Sequence, residues 1–332
     1  MHTWQKMVAV GTTIVIVVIA GTFVYLQYFA KRRLVVSTTT SLYDTDLLKA
    51  IEVAFETKYP IDVQFIPVGT GIAIEQARNG DVDLTLVHSP LQEKTFLQEG
   101  YGVNRKIIAY NFFIIVGPQN DPAQTNGLNA TEAMKNILAY GRNQTNLNVK
   151  VWFSRGDNSG THSKEQSLWK LAGFNYTEIS AESWYASGGG KMGETLLKTN
   201  EKSAYTLSDI GTYLKYYEKD SLINLRSFVQ ETYELLNVYS AIAVNQTRHR
   251  HVNFNDAITF MKFLISEECQ QLVEDFGKND YGQSGRLFHA AVHLIPQNST
   301  QQIAQWIKTY AFLENSECPP QYRDSRHPEL YS

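Results

Sequence analysis

Between Leu34 and Val87, three short β-rich runs alternate with helical patterns, and that order leaves the chain few folds to adopt. Leu34–Ser37 reads as a strand, followed by the polar loop Thr38-Thr39-Thr40-Ser41. A helix is expected from about Asp44 to Lys58, with Asp44 as N-cap and Leu47, Leu48, Ile51, Ala54 and Phe55 on one face. Ile61–Val68 is the second strand, Gly69-Thr70-Gly71 breaks it, Ile72–Asn79 reads as helix, and Leu84–Val87 is the third strand. A β-α-β-α-β order calls for a parallel sheet with right-handed crossovers, hence an α/β protein.

Ile107–Val116 is a long apolar strand, after which the pattern starts afresh. A helix from Ala130 to Tyr140 opens on the capping box Asn129 and Glu132; a strand at Lys150–Phe153 leads to a helix over residues 160–171. Ser203–Leu207 and Asp209–Tyr217 read as strand and helix, and Leu235–Val244 resembles Ile107–Val116 in length and character. A long helix near Asn255–Phe276 and a last one near Thr300–Phe312 complete the pattern. Two long strands bracketing an α/β block predict one lobe inserted into another, with a ligand cleft where strands end. The expected division is 34–113 with 240–332 for one lobe, 114–239 for the other, and 1–33 for a membrane anchor with its basic flank. A chain of 332 residues accommodates two such units.

The segment Ser154-Arg155-Gly156-Asp157-Asn158-Ser159-Gly160-Thr161 carries the chemistry. It combines a cation, hydroxyls and glycine-exposed amides at a helix start, where unpaired N–H groups favour anions. Ser and Thr also cap helices, so one such loop says little. Three of them, Thr38–Ser41, Gly69–Gly71 and Arg155–Thr161, follow strands and precede helices, and together they point to a ligand site. Donor hydroxyls and amides with one arginine suit a tetrahedral oxyanion that has no proton to donate. A protonated phosphate needs an acceptor, and Asp157 is better explained as holding Arg155. His88 and Ser89, at the end of the third strand, and Met192 and Gly193, after the glycine run Gly188-Gly189-Gly190, are further candidates. That run does not match a P-loop, because Lys191 is followed by Met192. Two rival classes remain: a surface hydrolase using Ser159 with His162, though a helix start is expected to turn His162 outward, and an adhesion protein displaying Arg155-Gly156-Asp157.

Met7–Ala30 carries no charge and suffices to cross a bilayer, so a retained N-terminal transmembrane helix is expected. Lys31-Arg32-Arg33 follow it and only Lys6 precedes it; the positive-inside rule alone would place the folded part in the cytoplasm. Sequons at Asn129, Asn143, Asn175, Asn245 and Asn298 fit an extracytoplasmic domain. Cys269 and Cys318 can form one disulfide or stay as two thiols, and two cysteines without an H-x-x-x-H spacing make no zinc site. A net charge of −3 argues against nucleic acid as a partner.

Several motifs occur in a telling order: Thr38-Thr39-Thr40-Ser41, Val68-Gly69-Thr70-Gly71, Gly80-Asp81-Val82-Asp83, Leu86-Val87-His88, Glu99-Gly100-Tyr101-Gly102, Ser154 to His162, Gly190-Lys191-Met192-Gly193 and Tyr205-Thr206-Leu207-Ser208-Asp209. Together they resemble the substrate-binding components of tungstate ABC transporters, from about Leu34 to Tyr217. The resemblance implies a two-lobed periplasmic-binding-protein type II fold, non-enzymatic and without a cofactor. Such a protein captures tungstate outside the cell and delivers it to a permease with a cytoplasmic ATPase. It implies Thr39, Thr40, Ser41 and Thr70 on one wall, and Arg155, Ser159, Gly160 and Thr161 on the other. The Arg-x-Asp-x-Ser-Gly-Thr core is similar to phosphate receptors too, so molybdate and phosphate stay as alternative ligands. Asn158 and Ser89 stand where the family commonly has acidic residues, and Gly189 where it often has Gln.

Overall fold

The computed structural model describes residues 31–146, 148–188, 190–229, 231–278, 287–296 and 299–331. The expected membrane span, Gly189 and the sequon at Asn298 lie outside them. Among the described residues no helix is long and apolar enough to cross a membrane.

The first half of the chain runs β1 (Arg32–Thr39), α1 (Thr40–Tyr43), α2 (Leu47–Glu56), β2 (Ile61–Val68), α3 (Thr70–Asn79), β3 (Leu84–Val87), α4 (Pro90–Gln98) and β4 (Gly102–Pro118). Next come α5 (Ala130–Arg142), β5 (Trp152–Ser154), α6 (Gly160–Leu171), α7 (Tyr176–Ile179), β6 (Tyr185–Ser187), α8 (Met192–Lys202), β7 (Thr206–Asp209), α9 (Ile210–Tyr217) and β8 (Leu225–Val229). The chain ends with β9 (Leu236–Val244), α10 (Phe254–Leu264), α11 (Glu267–Asp275), β10 (His289–Ala290) and α12 (Gln302–Ala311). This is a mixed α/β architecture, as the strand–helix alternation predicts.

β1 pairs in parallel with β2 and β3, and the sheet continues through β9, β4 and β10 in antiparallel register. β4 is the shared strand: its first part pairs with β9, while Phe113–Val116 pair with β7 and Ile115–Pro118 with β8. The register shifts at Ile115/Val116, an irregularity that lets one strand serve two differently oriented sheet regions. β5 and β6 pair in parallel, and Trp152 bridges to Tyr205 just before β7. Leu34, Val36, Phe55, Leu84, Ala241 and Phe260 belong to one core; Ile115, Met134, Trp152, Trp169, Tyr205 and Ile307 belong to a second.

Some expectations need correction. Asp44 does not cap the first long helix. Thr39 caps the four-residue α1, Asp44 closes that turn, and Asp46, at φ 68°, precedes α2. The helix expected over Asn255–Phe276 is two helices, broken at Ile265 and restarted where Ser266 Oγ accepts from Cys269 N. Periodicity alone runs through the break because both pieces present Phe260, Met261, Cys269 and Val273 to the same core. The strands expected at Lys150–Phe153 and Ser203–Leu207 lie slightly later, at Trp152–Ser154 and Thr206–Asp209. Cys269 and Cys318 are buried free thiols.

An ion pair with no solvent exposure on either side chain ties α4 to β4 and the C-terminal tail. Glu93 accepts from Arg105 Nε and Ser89 N, both at 2.7 Å, and Arg105 Nη1 donates to the carbonyls of Ala311 and Glu317 at 2.9 and 2.7 Å. Removing the carboxylate leaves a buried guanidinium without its counter-charge. Glu93→Ala is therefore expected to lower unfolding free energy by about 3–5 kcal/mol in urea titrations; a loss under about 1 kcal/mol contradicts this role.

Candidate functional site

The strands deliver the polar loops to one place. Register sets Thr39 beside Val68 and Thr38 beside Leu86, so the loops after β1, β2 and β3 leave the parallel strands at one edge. Ser154 pairs with Ser187 and Phe113 with Asp209, so the ends of β5, β6 and β7 likewise cluster. The two edges meet around Phe113. Its ring lies 6.2 Å from that of His88, at the end of β3. A Cβ on Gly160, the first residue of α6, would sit 2.4 Å from His88 Cε1, so only glycine permits this approach. The charge of Arg155 bears on both His88 and Asp209, which places its guanidinium at the same junction.

Around that junction, hydrogen-bonding capacity is left over. Thr38 Oγ1, Thr70 Oγ1, Thr161 Oγ1 and Arg155 Nε are buried with no partner among the described residues. Arg155 is 5% exposed and Thr70 1%. A buried polar group without a partner costs about 1–3 kcal/mol; seven further side chains among the described residues, Thr85 and Ser240 included, share that state. Gly69 and Ser159 start α3 and α6; Gly69 has no side chain with which to cap the amides that follow. Thr39 Oγ1 accepts from Leu42 N at 3.4 Å and lies equally far from Ser41 Oγ; Thr40, half-buried, opens α1.

Asp157 holds the arginine. One oxygen accepts from Arg155 Nη2 and the other from Ser159 N at 3.1 Å. Gly156 takes φ 61° to turn the loop, with Ser187 Oγ where a Cβ would be. Below the loop, Glu165 Oε1 accepts from Trp152 Nε1 at 2.8 Å and the Tyr185 hydroxyl at 2.7 Å, which locks α6 onto β5 and β6. Burial raises the Glu165 carboxyl pKa against these bonds.

His162 is not turned outward: it is buried at 5% exposure. Asn158 N donates to its Nδ1 at 2.9 Å, which leaves the proton on Nε2 to meet the Tyr176 hydroxyl at 2.7 Å. Ser159 Oγ instead accepts from the backbone N of His162 at 3.3 Å as the helix cap. Both imidazole nitrogens are thus engaged away from Ser159, and the hydrolase reading loses its base. The Arg155–Asp157 tripeptide is also unsuited to display, since its arginine is buried and paired.

Other candidates fall around this centre. Ser89 is half-buried and gives its backbone N–H to Glu93. Met192 packs in the apolar core, and Gly193 adjoins the Tyr216 hydroxyl. The glycine run joins β5 through Gly188 N, which donates to Ser154 O at 2.6 Å. The sequence reading missed a buried network behind the site. His88 Nδ1 lies 2.8 Å from Asn237 Oδ1, and Asn237 Nδ2 donates to Asn111 Oδ1 and the Tyr239 hydroxyl at 2.9 and 2.8 Å. Asn237 Oδ1 can only accept, so His88 carries its proton on Nδ1. Asp209 caps α9, accepting from Thr212 N at 2.8 Å and from the Thr212 hydroxyl. Burial pushes its carboxyl up, opposed by Thr212 and Arg155.

A family model described as a PBP superfamily domain matches residues 21–268. The chain is 35% identical over 254 residues to the tungstate-binding protein TupA of Peptoclostridium acidaminophilum, covering 76% of this chain and 84% of that protein. Among solved structures, the tungstate-binding protein TupA from Desulfovibrio alaskensis G20 superposes with a TM-score of 0.66 at 36% identity, covering 78% of this chain and 98% of that one. A structure titled as the tungstate ABC transporter from Geobacter sulfurreducens gives 0.65 at 38% identity, covering 74% and 100%.

His88 generates a pH prediction. Burial, opposed by its bond to Asn237 and aided by Arg155 and Lys164, lowers its pKa to about 4 from 6.5. The unfolded chain therefore takes up a proton first as pH falls, and stability drops through the window from about 6.5 to about 4. The loss attributable to His88 is about 3 kcal/mol. Urea unfolding at pH 7, 5 and 4 should show that excess slope in the wild type relative to His88→Gln; identical slopes refute it.

Proposed function

The chain belongs to the PBP superfamily, and on that premise we propose that it is an extracytoplasmic solute-binding receptor that captures tungstate and passes it to an ABC permease driven by a cytoplasmic ATPase. The observation that carries the reading is the set of buried, unsatisfied groups around Arg155, contributed by elements on both sides of the junction. Thr39, Thr40, Ser41 and Thr70 would line one wall, with Arg155, Ser159, Gly160 and Thr161 on the other. His88, Ser89, Met192 and Gly193 stand behind or beside them. The lobes would be 34–113 with 240–332, and 114–239. α12 straps the crossing: it packs on β9 while Ala304 and Ile307 join the second core.

The donor set favours an anion without a proton. Both oxygens of Asp157 are taken, by Arg155 and by Ser159 N, and Asp209 is engaged by Thr212. Asp157 is thus positioned on Arg155 and on the loop backbone, and Asp209 on the α9 cap, so a protonated phosphate would have to share an acceptor already in use. Tungstate and molybdate both satisfy the chemistry, and the names of the relatives favour tungstate. A charged ligand in a dry cleft depends heavily on its counter-charge.

We also propose that Met7–Ala30 anchors the protein with its folded part outside the cell. The basic residues after that stretch belong to the fold rather than to a membrane flank. Arg32 opens β1 and bonds Asp256 at 3.0 Å, and Lys31 pairs with Glu56.

Calorimetric titration of the full chain is expected to show tight tungstate binding, molybdate at comparable or lower affinity, and phosphate and sulfate weaker. Arg155→Ala should weaken tungstate binding by about 2–5 kcal/mol. Phosphate binding without tungstate binding, or unchanged affinity in the variant, overturns the assignment. Protease added to intact cells should degrade the folded part; protection would place it in the cytoplasm.

A further inference from the structure

A second cavity, of about 460 Å³, adjoins the oxyanion site. The two share His88, Ser89 and Gly160, but none of Thr38–Ser41, Thr70, Arg155 or Thr161 lines the cavity. Its volume falls within the range of small-molecule pockets. α4 contributes Leu91, α6 contributes Lys164, Leu168 and Leu171, and β4 contributes Phe113. Tyr310 and Phe312, at the end of α12, close it, and Lys94, Glu234 and Glu314 are the other charged residues of its lining. Spacing of three and four residues puts Lys164, Leu168 and Leu171 on one helical face.

Lys164 is the unusual member. It is 8% exposed, donates to the backbone carbonyl of Glu234 at 3.0 Å, and sits 4.4 Å from the centre of the Tyr310 ring. It forms no salt bridge among the described residues; Glu234 favours its charge only at a distance. Burial lowers its pKa to about 7, so the site holds a cation at the limit of what its surroundings support. A counter-anion would restore the charge. At the mouth, Leu91 and Leu171 are 80% and 62% exposed, apolar surface left in water on helices from the two sides.

We propose that this cavity binds a small amphipathic carboxylate, its anionic head on Lys164 and its apolar body along Phe113, Leu168, Tyr310 and Phe312 towards Leu91 and Leu171. The two ends of the cavity call for the two ends of such a molecule. Lys164, whose hydrogen bond among the described residues goes to a backbone carbonyl, recognises the carboxylate with Lys94 on the same lining and against Glu234 and Glu314, while aromatic and aliphatic walls desolvate the chain. This ligand differs in kind from an inorganic oxyanion, and its site stands whether or not tungstate is the ligand next door.

The test is calorimetric titration of the full chain with 3-phenylpropionate and with its neutral counterpart, 3-phenylpropionamide. The acid is expected to bind at least tenfold more tightly than the amide, and Lys164→Met should erase that preference. Leu171→Asp alters only an exposed rim position and so preserves the fold; it should weaken the acid at least tenfold. Arg155→Ala should leave binding of the acid unchanged. Absence of binding, equal affinity for acid and amide, indifference to Leu171→Asp, or loss on Arg155→Ala would each overturn the proposal, the last by moving the ligand to the oxyanion site.

Discussion

Unmet hydrogen bonding around one buried guanidinium is the constraint that organises this molecule. Arg155 is fixed on one side by Asp157 and keeps Nε unpartnered, while three threonine hydroxyls nearby are equally unsatisfied among the described residues. Folding places these groups where water has little access, and at about 1–3 kcal/mol each they disfavour an empty closed site. An oxyanion relieves all of them at once. Under the proposed function, closure and binding would then become one event.

The fold supplies this arrangement through strand direction more than through any single contact. Parallel β1, β2 and β3 present their C-terminal loops together, and β5, β6 and β7 do the same from the other side. β4 and β9 run through the middle and bring the two edges against each other. Behind the site, Asn111, Asn237 and Tyr239 hold His88 in one tautomer, and burial keeps it uncharged beside Arg155. A net charge of −3 therefore coexists with a buried guanidinium at the junction, held in place by Asp157 while Asp209 caps α9.

What could be read in advance followed local rules. β2 and β3 match the expected spans residue for residue, since β-branched runs there end at Gly69 and His88. α6 likewise begins at Gly160 as expected, because Ser159 is a strong N-cap. α4 escaped notice because Leu91 points to solvent and only Phe96 and Leu97 give it an apolar face, although Pro90 after Ser89 was a usable start signal. The direction of His162 was misjudged because Tyr176, which draws the ring inward, lies on another helix. Asn111, Asn237 and Lys164 gave no local cue, and Asp209 was legible only as a helix start. They come from strands and helices far apart in the chain, and only the assembled sheet makes them neighbours. The hydroxyl loops and Arg155, by contrast, were legible as motifs before any coordinates placed them.

Anomalous diffraction at the tungsten L-III edge, from crystals grown with tungstate, tests the central claim most directly. One strong peak should appear enclosed by Arg155, Thr161, Thr70 and the Thr38–Ser41 turn. No peak there, or a peak at a different part of the surface, would contradict the reading of this junction as the anion site.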